Sequence, residues 1–362
     1  MMDNGKISPL QLGVAVFMFT LGSTALVMPS IIVSIAKQDA WISILLCITV
    51  IIWFVLLWNR LSMRYPNESI VQYSERILGK WFGKMVGVMY VSFFLYLSAL
   101  VLRNVGDFVT TNVLPQTPTH VVHIIFMLPI MYGAYLGLEV ITRSSEVLFP
   151  WVIIIFFMTT LMLLKNIDLS KLLPILPDGW LIPVKGIYPF LGFPISELVV
   201  FLIIFPFVIQ QRKIKRYFTL FAIFATIFGT LIVVISIAVL GVDIAARSIF
   251  TVFDVAKEIR VGNFFERVEV LVAIIWIMTI FVKLIFCFYA ANLATAQLFK
   301  LKNYRITILP YGLFVIALSM LVYQNTAEIR WFTMGAYPLY SLLHGFCIPA
   351  ILLLISTIRN VK

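Results

Sequence analysis

The stretch Pro189-Phe190-Leu191-Gly192-Phe193-Pro194-Ile195-Ser196-Glu197 places two prolines, a glycine and a carboxylate inside an apolar run that extends from Leu181 to Ile209. A helix in hydrocarbon must satisfy its backbone polar groups internally, so an interruption is tolerated only where the freed groups face protein or a polar cavity. The break therefore marks a candidate binding site. Its setting is a chain of 362 residues with 62% hydrophobic and 12% charged residues and a mean hydropathy of +1.05. Apolar runs long enough to cross a bilayer recur along its length, which identifies an all-α polytopic membrane protein.

Ten transmembrane helices are expected, at roughly 10–36, 40–58, 82–105, 121–138, 147–164, 183–209, 217–240, 267–293, 306–323 and 334–356, with boundaries good to about four residues. All belong to a single transmembrane domain over 1–362. The first run begins near Leu10 with Lys6 before it and reaches Ala36. It is too long for a signal-peptide core and lacks a small-residue cleavage pattern, so it is expected to be retained. An even span number puts both termini on one face. With the termini cytoplasmic, that face collects Lys6, the basic residues from Arg60 to Lys84, Arg143, the run Arg212 to Arg216, Lys300 to Arg305, Arg359 and Lys362, as the positive-inside rule requires. The net charge of +11 is accounted for by this excess. No exposed stripe interleaves aromatic and basic residues as a nucleic-acid surface would, and membrane lipid is the expected surrounding.

Cys47, Cys287 and Cys347 all fall within spans and lack CxxC spacing, so they are read as packing residues, without a disulfide framework or metal site. His120, His123 and His344 are scattered, and no nucleophile–base arrangement or phosphate-cradling glycine loop is present, so neither an enzyme nor a bound cofactor is expected. Two amphipathic segments, about 67–82 and 247–265, are expected to lie at the membrane surface, the first on the cytoplasmic side and the second on the outer side. Gly83-xxx-Gly87 and Gly133-xxx-Gly137 fit close helix contact.

Transporter-like folds are often built from two inverted halves whose corresponding helices break near the midplane. Halves of about 10–164 and 183–356 make spans one and six counterparts. Span one carries Gly22, Ser23 and Thr24 in its middle, followed by Pro29, and span six carries Gly192, Pro194, Ser196 and Glu197. Unwinding both leaves free N–H groups on one half-helix and free C=O groups on another, suited to a carboxylate and an ammonium respectively.

Several stretches resemble the B subunit of GerA-type spore germination receptors, in the endospore germination permease family of the amino acid–polyamine–organocation transporter superfamily. They are LGSTALVMPS at 21–30, Ala40-Trp41, YPNESIVQYSERILGKWFGK at 65–84, FPISELVVFLIIFPFV at 193–208 and FFERVEVLVAIIWI at 264–277. The resemblance implies a LeuT-like 5+5 inverted repeat with broken helices 1 and 6, and residence in the spore inner membrane. It also implies action beside A and C subunits and sensing of a small-molecule germinant such as an amino acid, nucleoside or sugar. Where the resemblance leads us to expect glycine before the span-six glutamate, this chain has Ser196.

The candidate ligand-binding residues follow from these readings. Gly22, Ser23 and Thr24 would offer backbone and hydroxyl contacts to a ligand carboxylate, and Phe190, Leu191, Gly192 and Phe193 would form the opposing wall. Ser196 adds a hydroxyl at the break. Glu197 is a carboxylate buried in an apolar run, which needs a partner, and Lys283, about halfway along span eight, is too deep to snorkel easily. Lys283 could replace a coupling ion, pair with Glu197 or hold a ligand carboxylate. Tyr96 in span three would cap the site, which is placed between spans one, three, six and eight. Arg103 and Asp107 at i, i+4 spacing suit an ion pair, and Glu139, Arg143 and Glu146 follow span four at helix spacing on the cytoplasmic side, where a partner subunit or a gate network could use them. Glu266, Arg267 and Glu269 would open span eight at the outer surface. Three functions fit: a germinant-sensing receptor subunit, a secondary amino-acid transporter that is proton-coupled or uniporting, and an assembly subunit with a vestigial pocket.

Overall fold

The computed structural model describes residues 5–259, 268–323 and 326–359. Ser8 opens the bundle with a capping box. Its hydroxyl accepts the Gln11 N–H at 3.1 Å and the Gln11 side chain accepts the Ser8 N–H at 2.8 Å, with Pro9 pre-set for the first turn. Helix α1 (Pro9–Thr24) then runs to a short turn at 25–27, and α2 (Met28–Ala36) carries the span onward. The break thus lies just after Gly22, Ser23 and Thr24, because Pro29 sits in the first turn of α2, where its missing N–H is tolerated and the chain before it must leave the helix.

Helix α3 (Ala40–Ser62) is followed by the short helix α4 (Ile70–Leu78), started by a Ser69/Gln72 capping box. Gly79, at φ +84, turns the chain into α5 (Lys80–Phe108), a backbone angle other residues rarely adopt. Helix α6 (Thr119–Leu136) ends at Gly137 with φ +104, and α7 (Leu138–Leu163) begins at once. Gly133 provides the close approach of its pair, while Gly137 breaks the helix rather than packing it. Glu139, Arg143 and Glu146 stand at helix spacing in the first turns of α7.

Span six is wound in three ways: α8 (Leu181–Phe190), a wide turn over Leu191–Ile195 in which Phe193 leaves the helical region (φ −135, ψ 101), and a tighter 3₁₀ stretch over Ser196–Ile203. Helices α9 (Ile214–Leu240), α10 (Val242–Arg247) and α11 (Thr251–Lys257) follow. Then come α12 (Glu269–Leu298), α13 (Ile308–Ser319), α14 (Thr326–Met334) and α15 (Ala336–Leu342). A second wide turn at Leu343–Cys347 leads into α16 (Ile348–Ile358). Of the expected outer amphipathic segment, α11 is present and residues 260–267, including Glu266 and Arg267, lie outside the described residues.

Among the described residues, 8 helical stretches are long and apolar enough to cross a membrane, and Pro9–Gly22 and Tyr304–Ser319 are shorter apolar helices. Together they occupy the positions of the expected spans. Helix α12 is central: it packs on α5, α1 and α7, and every residue from Val282 to Leu298 is buried. Cys47 and Cys287 are buried as expected, whereas Cys347 is exposed on the outside of the bundle, since the wide turn rotates that position away from the core.

The residues before α1 strap the face that carries both termini. Ile7 pairs with Val208 in a parallel bridge, donating to Phe207 O and accepting from Ile209 N–H, both at 3.0 Å. The Lys6 backbone N–H donates to Glu139 Oε1 at 3.0 Å and Gln11 Nε2 to Glu146 Oε2 at 3.0 Å. At the other terminus Arg359 donates to Ile77 O at 3.1 Å and Arg64 to Ser356 Oγ at 3.0 Å.

Candidate functional site: a buried charge pair behind the break

The wide turn in span six frees backbone groups that hydrocarbon cannot satisfy, and neighbouring side chains take them up. Leu191 O accepts both the Ser196 N–H and, at 2.7 Å, the Ser196 hydroxyl. Ser196 therefore does at the break what a glycine could not. The corresponding wide turn of span ten is served the same way, with Trp58 Nε1 donating to Gly345 O at 2.8 Å and Tyr90 OH to His344 O at 2.8 Å. The two turns meet at glycines: a Cβ on Gly345 would stand 2.6 Å from Ser196 O, and one on Gly192 would stand 2.4 Å from Pro338 Cα.

Two residues past this turn, Glu197 is fully buried, and so is Lys283 of α12. Lys283 Nζ donates to Glu197 Oε2 at 2.5 Å, and Tyr337 OH donates to Glu197 Oε1. Lys283 Nζ also lies 4.6 Å from the Phe193 ring centroid and 5.1 Å from that of Phe19, contacts worth up to about 2 kcal/mol when desolvated. Burying two charges costs several kcal/mol per ion, and mutual attraction offsets this only when the remaining hydrogen-bonding capacity is met. Tyr337 and the two rings meet it here. Gly22 permits the approach of α1 to α12, since a Cβ there would lie 2.7 Å from Thr279 O and 3.0 Å from Lys283 Cβ.

The other candidates fall around this pair. Thr24 is buried and its hydroxyl donates to Thr20 O at 2.5 Å, so its proton is committed to its own helix. Ser23 belongs to α1, and its side chain lies outside the described set. Phe190 is buried in the wall, Leu191 supplies the carbonyl at the turn, and Tyr96 is half-buried, edge-on to Phe332 and Tyr340 at 6.3 and 5.8 Å. A cavity of about 20 Å³ is lined by Val27, Leu100, Asn104, Phe193, Phe332, Thr333 and Tyr337. Its walls come from spans one, three, six and ten with α14, whereas span eight was expected in place of span ten. Span eight contributes Lys283, whose ammonium lies 4.6 Å from the Phe193 ring centroid.

Tyr337 is the main participant that sequence reasoning missed. It lies in the Gly335-Ala336-Tyr337-Pro338 stretch, whose glycine and proline signal a second irregular span. Toward the C-terminal end of α5, Arg103 pairs with Asp107 at 2.9 Å, as its spacing suggested. Tyr323 OH donates to Asp107 Oδ2 at 2.7 Å and to Asn104 Oδ1 at 3.2 Å, which connects that pair to the cavity wall. No group of three or more His, Cys, Asp or Glu side chains that could hold a metal ion occurs among the described residues.

Residues 6–328 match the family described as spore germination protein. Spore germination protein KB of Bacillus subtilis (strain 168) is 29% identical over 342 residues, covering 94% of this chain and 91% of that protein. Spore germination protein YndE of the same organism is 29% identical over 308 residues, 82% of each chain, and spore germination protein A2 is 24% identical over 295 residues, 79% and 80%. Among solved structures, MhsT in complex with L-phenylalanine superposes with a TM-score of 0.71 at 13% identity, over 98% of this chain and 99% of that one. Mhp1, a nucleobase-cation-symport-1 family transporter in a closed conformation with bromovinylhydantoin bound, gives 0.57 at 13% identity, over 96% and 78%. At such identity the likeness shows the fold, which is of the LeuT type.

Proposed function

The chain belongs to the spore germination protein family, among the B subunits of the germination permeases, and from that premise we propose that it is the germinant-sensing membrane subunit of a germination receptor. It is a multi-pass membrane protein of a family with germinant-sensing or transport roles. In our reading it resides in the spore inner membrane with both termini cytoplasmic and acts beside A and C subunits. A small nutrient, most readily an amino acid, enters the broken region of spans one and six and shifts the balance between two arrangements of the half-helices.

The observation that carries this reading is the cavity of about 20 Å³ whose walls come from both broken spans. It has room for about one water, so a nutrient fits only if the surrounding segments part. A ligand that binds the parted arrangement better than the closed one moves the equilibrium, which is what a sensor requires. In this reading, parting of the half-helices frees donors on one side and acceptors on the other, a pattern suited to a carboxylate and an ammonium.

The test is germination of spores carrying Gly22→Leu or Glu197→Gln across amino acids, sugars and nucleosides, with subunit levels followed by immunoblot. Both changes are expected to lower the subunit level, so the expected outcome is a lost or shifted response to one nutrient relative to wild-type spores expressing the subunit at the same reduced level. Normal responses at normal levels would move sensing away from this cavity. The second reading, a proton-coupled or uniporting amino-acid transporter, draws on the buried Glu197, a carboxylate of the kind that serves proton relays. Net uptake of a labelled amino acid by the protein alone in vesicles would favour it.

A further inference from the structure

Phe193 and Tyr337 each take part in two structures at once. Both line the cavity, and both complete the shell of the charge pair behind it, Phe193 under the Lys283 ammonium and Tyr337 on the Glu197 carboxylate. Among the described residues, no charged side chain lines the cavity itself. Displacing either ring to make room for a molecule larger than water uncovers Glu197 and Lys283.

We propose that the Glu197–Lys283 pair is a latch opened by one chemical class of ligand, a small dipolar molecule with a carboxylate, an ammonium and an apolar side chain. The proposal rests on the sensing reading above and narrows it to that class. An uncharged molecule that pushes the rings aside leaves the ion pair without its covering and offers nothing in return. A molecule with a single charge takes one partner and strands the other, and a buried charge without a partner is strongly unfavourable. A dipolar molecule exchanges both contacts: its carboxylate takes the Lys283 ammonium, its ammonium takes the Glu197 carboxylate, and no charge is left unpaired. Val27, Leu100 and Phe332 then receive the apolar side chain. Because Glu197 stands in the 3₁₀ stretch of span six and Lys283 in α12, the exchange removes the bond joining those elements. The 196–203 segment is thereby released from α12 when ligand binds.

The full chain in lipid nanodiscs provides the test, with L-alanine and L-valine as dipolar probes, N-acetyl-L-valine and L-valinamide as single-charge analogues, and D-glucose and inosine as uncharged ones. Binding is measured by calorimetry. Opening is followed by mass-spectrometric detection of thiol labelling at Cys287, which is buried one turn from Lys283. A dipolar probe is expected to bind about 30-fold or more tightly than either single-charge analogue, the scale set by stranding one member of a buried pair, and to raise Cys287 labelling. The double variant Glu197→Gln/Lys283→Met, which leaves no stranded charge, is expected to fold and to lose that preference. The latch is overturned if the analogues bind within about threefold of L-valine, a difference under 1 kcal/mol, or if the double variant keeps the preference. Binding of glucose or inosine in place of the amino acids would overturn the latch and leave the sensing reading standing, and binding of none of the probes would remove both.

Discussion

Lys283 is fully buried and held by a carboxylate and two aromatic faces, so removing either member of the pair has an asymmetric cost. Lys283→Met leaves Glu197 with Tyr337 alone, and Glu197→Gln removes the anion from Lys283. Each is expected to destabilise by about 3–5 kcal/mol, whereas the double variant recovers most of that loss. Tyr337→Phe, which deletes one hydrogen bond to the carboxylate, is expected to cost about 1–3 kcal/mol. Thermal unfolding of the purified protein in one detergent ranks the four variants, and a double variant no more stable than its singles would contradict the pairing. Glu197 and Lys283 were legible because an ionised group within an apolar run needs a partner. Tyr337 was not, because a tyrosine in a span carries no such demand until its neighbour is known.

Irregular turns in spans six and ten are the elements on which the site depends, and glycines set how closely they meet. A Cβ at Gly22 or Gly192 would strike backbone, Thr279 O at 2.7 Å or Pro338 Cα at 2.4 Å, whereas a Cβ at Gly229 in α9 would meet nothing within 4 Å. Gly22→Ala and Gly192→Ala are therefore expected to destabilise by about 1–3 kcal/mol through overpacking, while Gly229→Ala is expected to be stabilising by up to about 1 kcal/mol through helix preference. Melting temperatures of the three variants check this, with the sign of Gly229→Ala as the control. The break in span six was evident from its prolines and glycine. Its counterpart in span one fell a few residues past the small residues that suggested it, because Pro29 controls where α2 can begin. The unwinding in span ten was not legible because its signals, Gly335, Pro338 and Gly345, are spread along the span rather than clustered as they are at 189–197.

Across the whole molecule, both ends of the described chain gather on one face, where the strand-like pairing of Ile7 with Val208 ties the start of span one to the end of span six. Cysteines introduced by Lys6→Cys and Arg359→Cys, in a Cys347→Ser background, are expected to react with an impermeant thiol reagent from the same side of sealed vesicles. Labelling from opposite sides would contradict the topology. Hydropathy and length established the membrane class, the approximate spans and the break in span six, since solvation by hydrocarbon acts on each segment locally. Patterned Gly, Pro and charge also marked Glu197 and Lys283 as residues in need of partners. The identity of those partners depended on tertiary packing. Lys283 meets Glu197 across 86 positions of sequence, Tyr337 reaches the same carboxylate across 140, and the cavity wall comes from span ten because two glycine turns let it approach span six. Contacts of that range arise from helices crossing in three dimensions, and local periodicity carries no record of which helices cross.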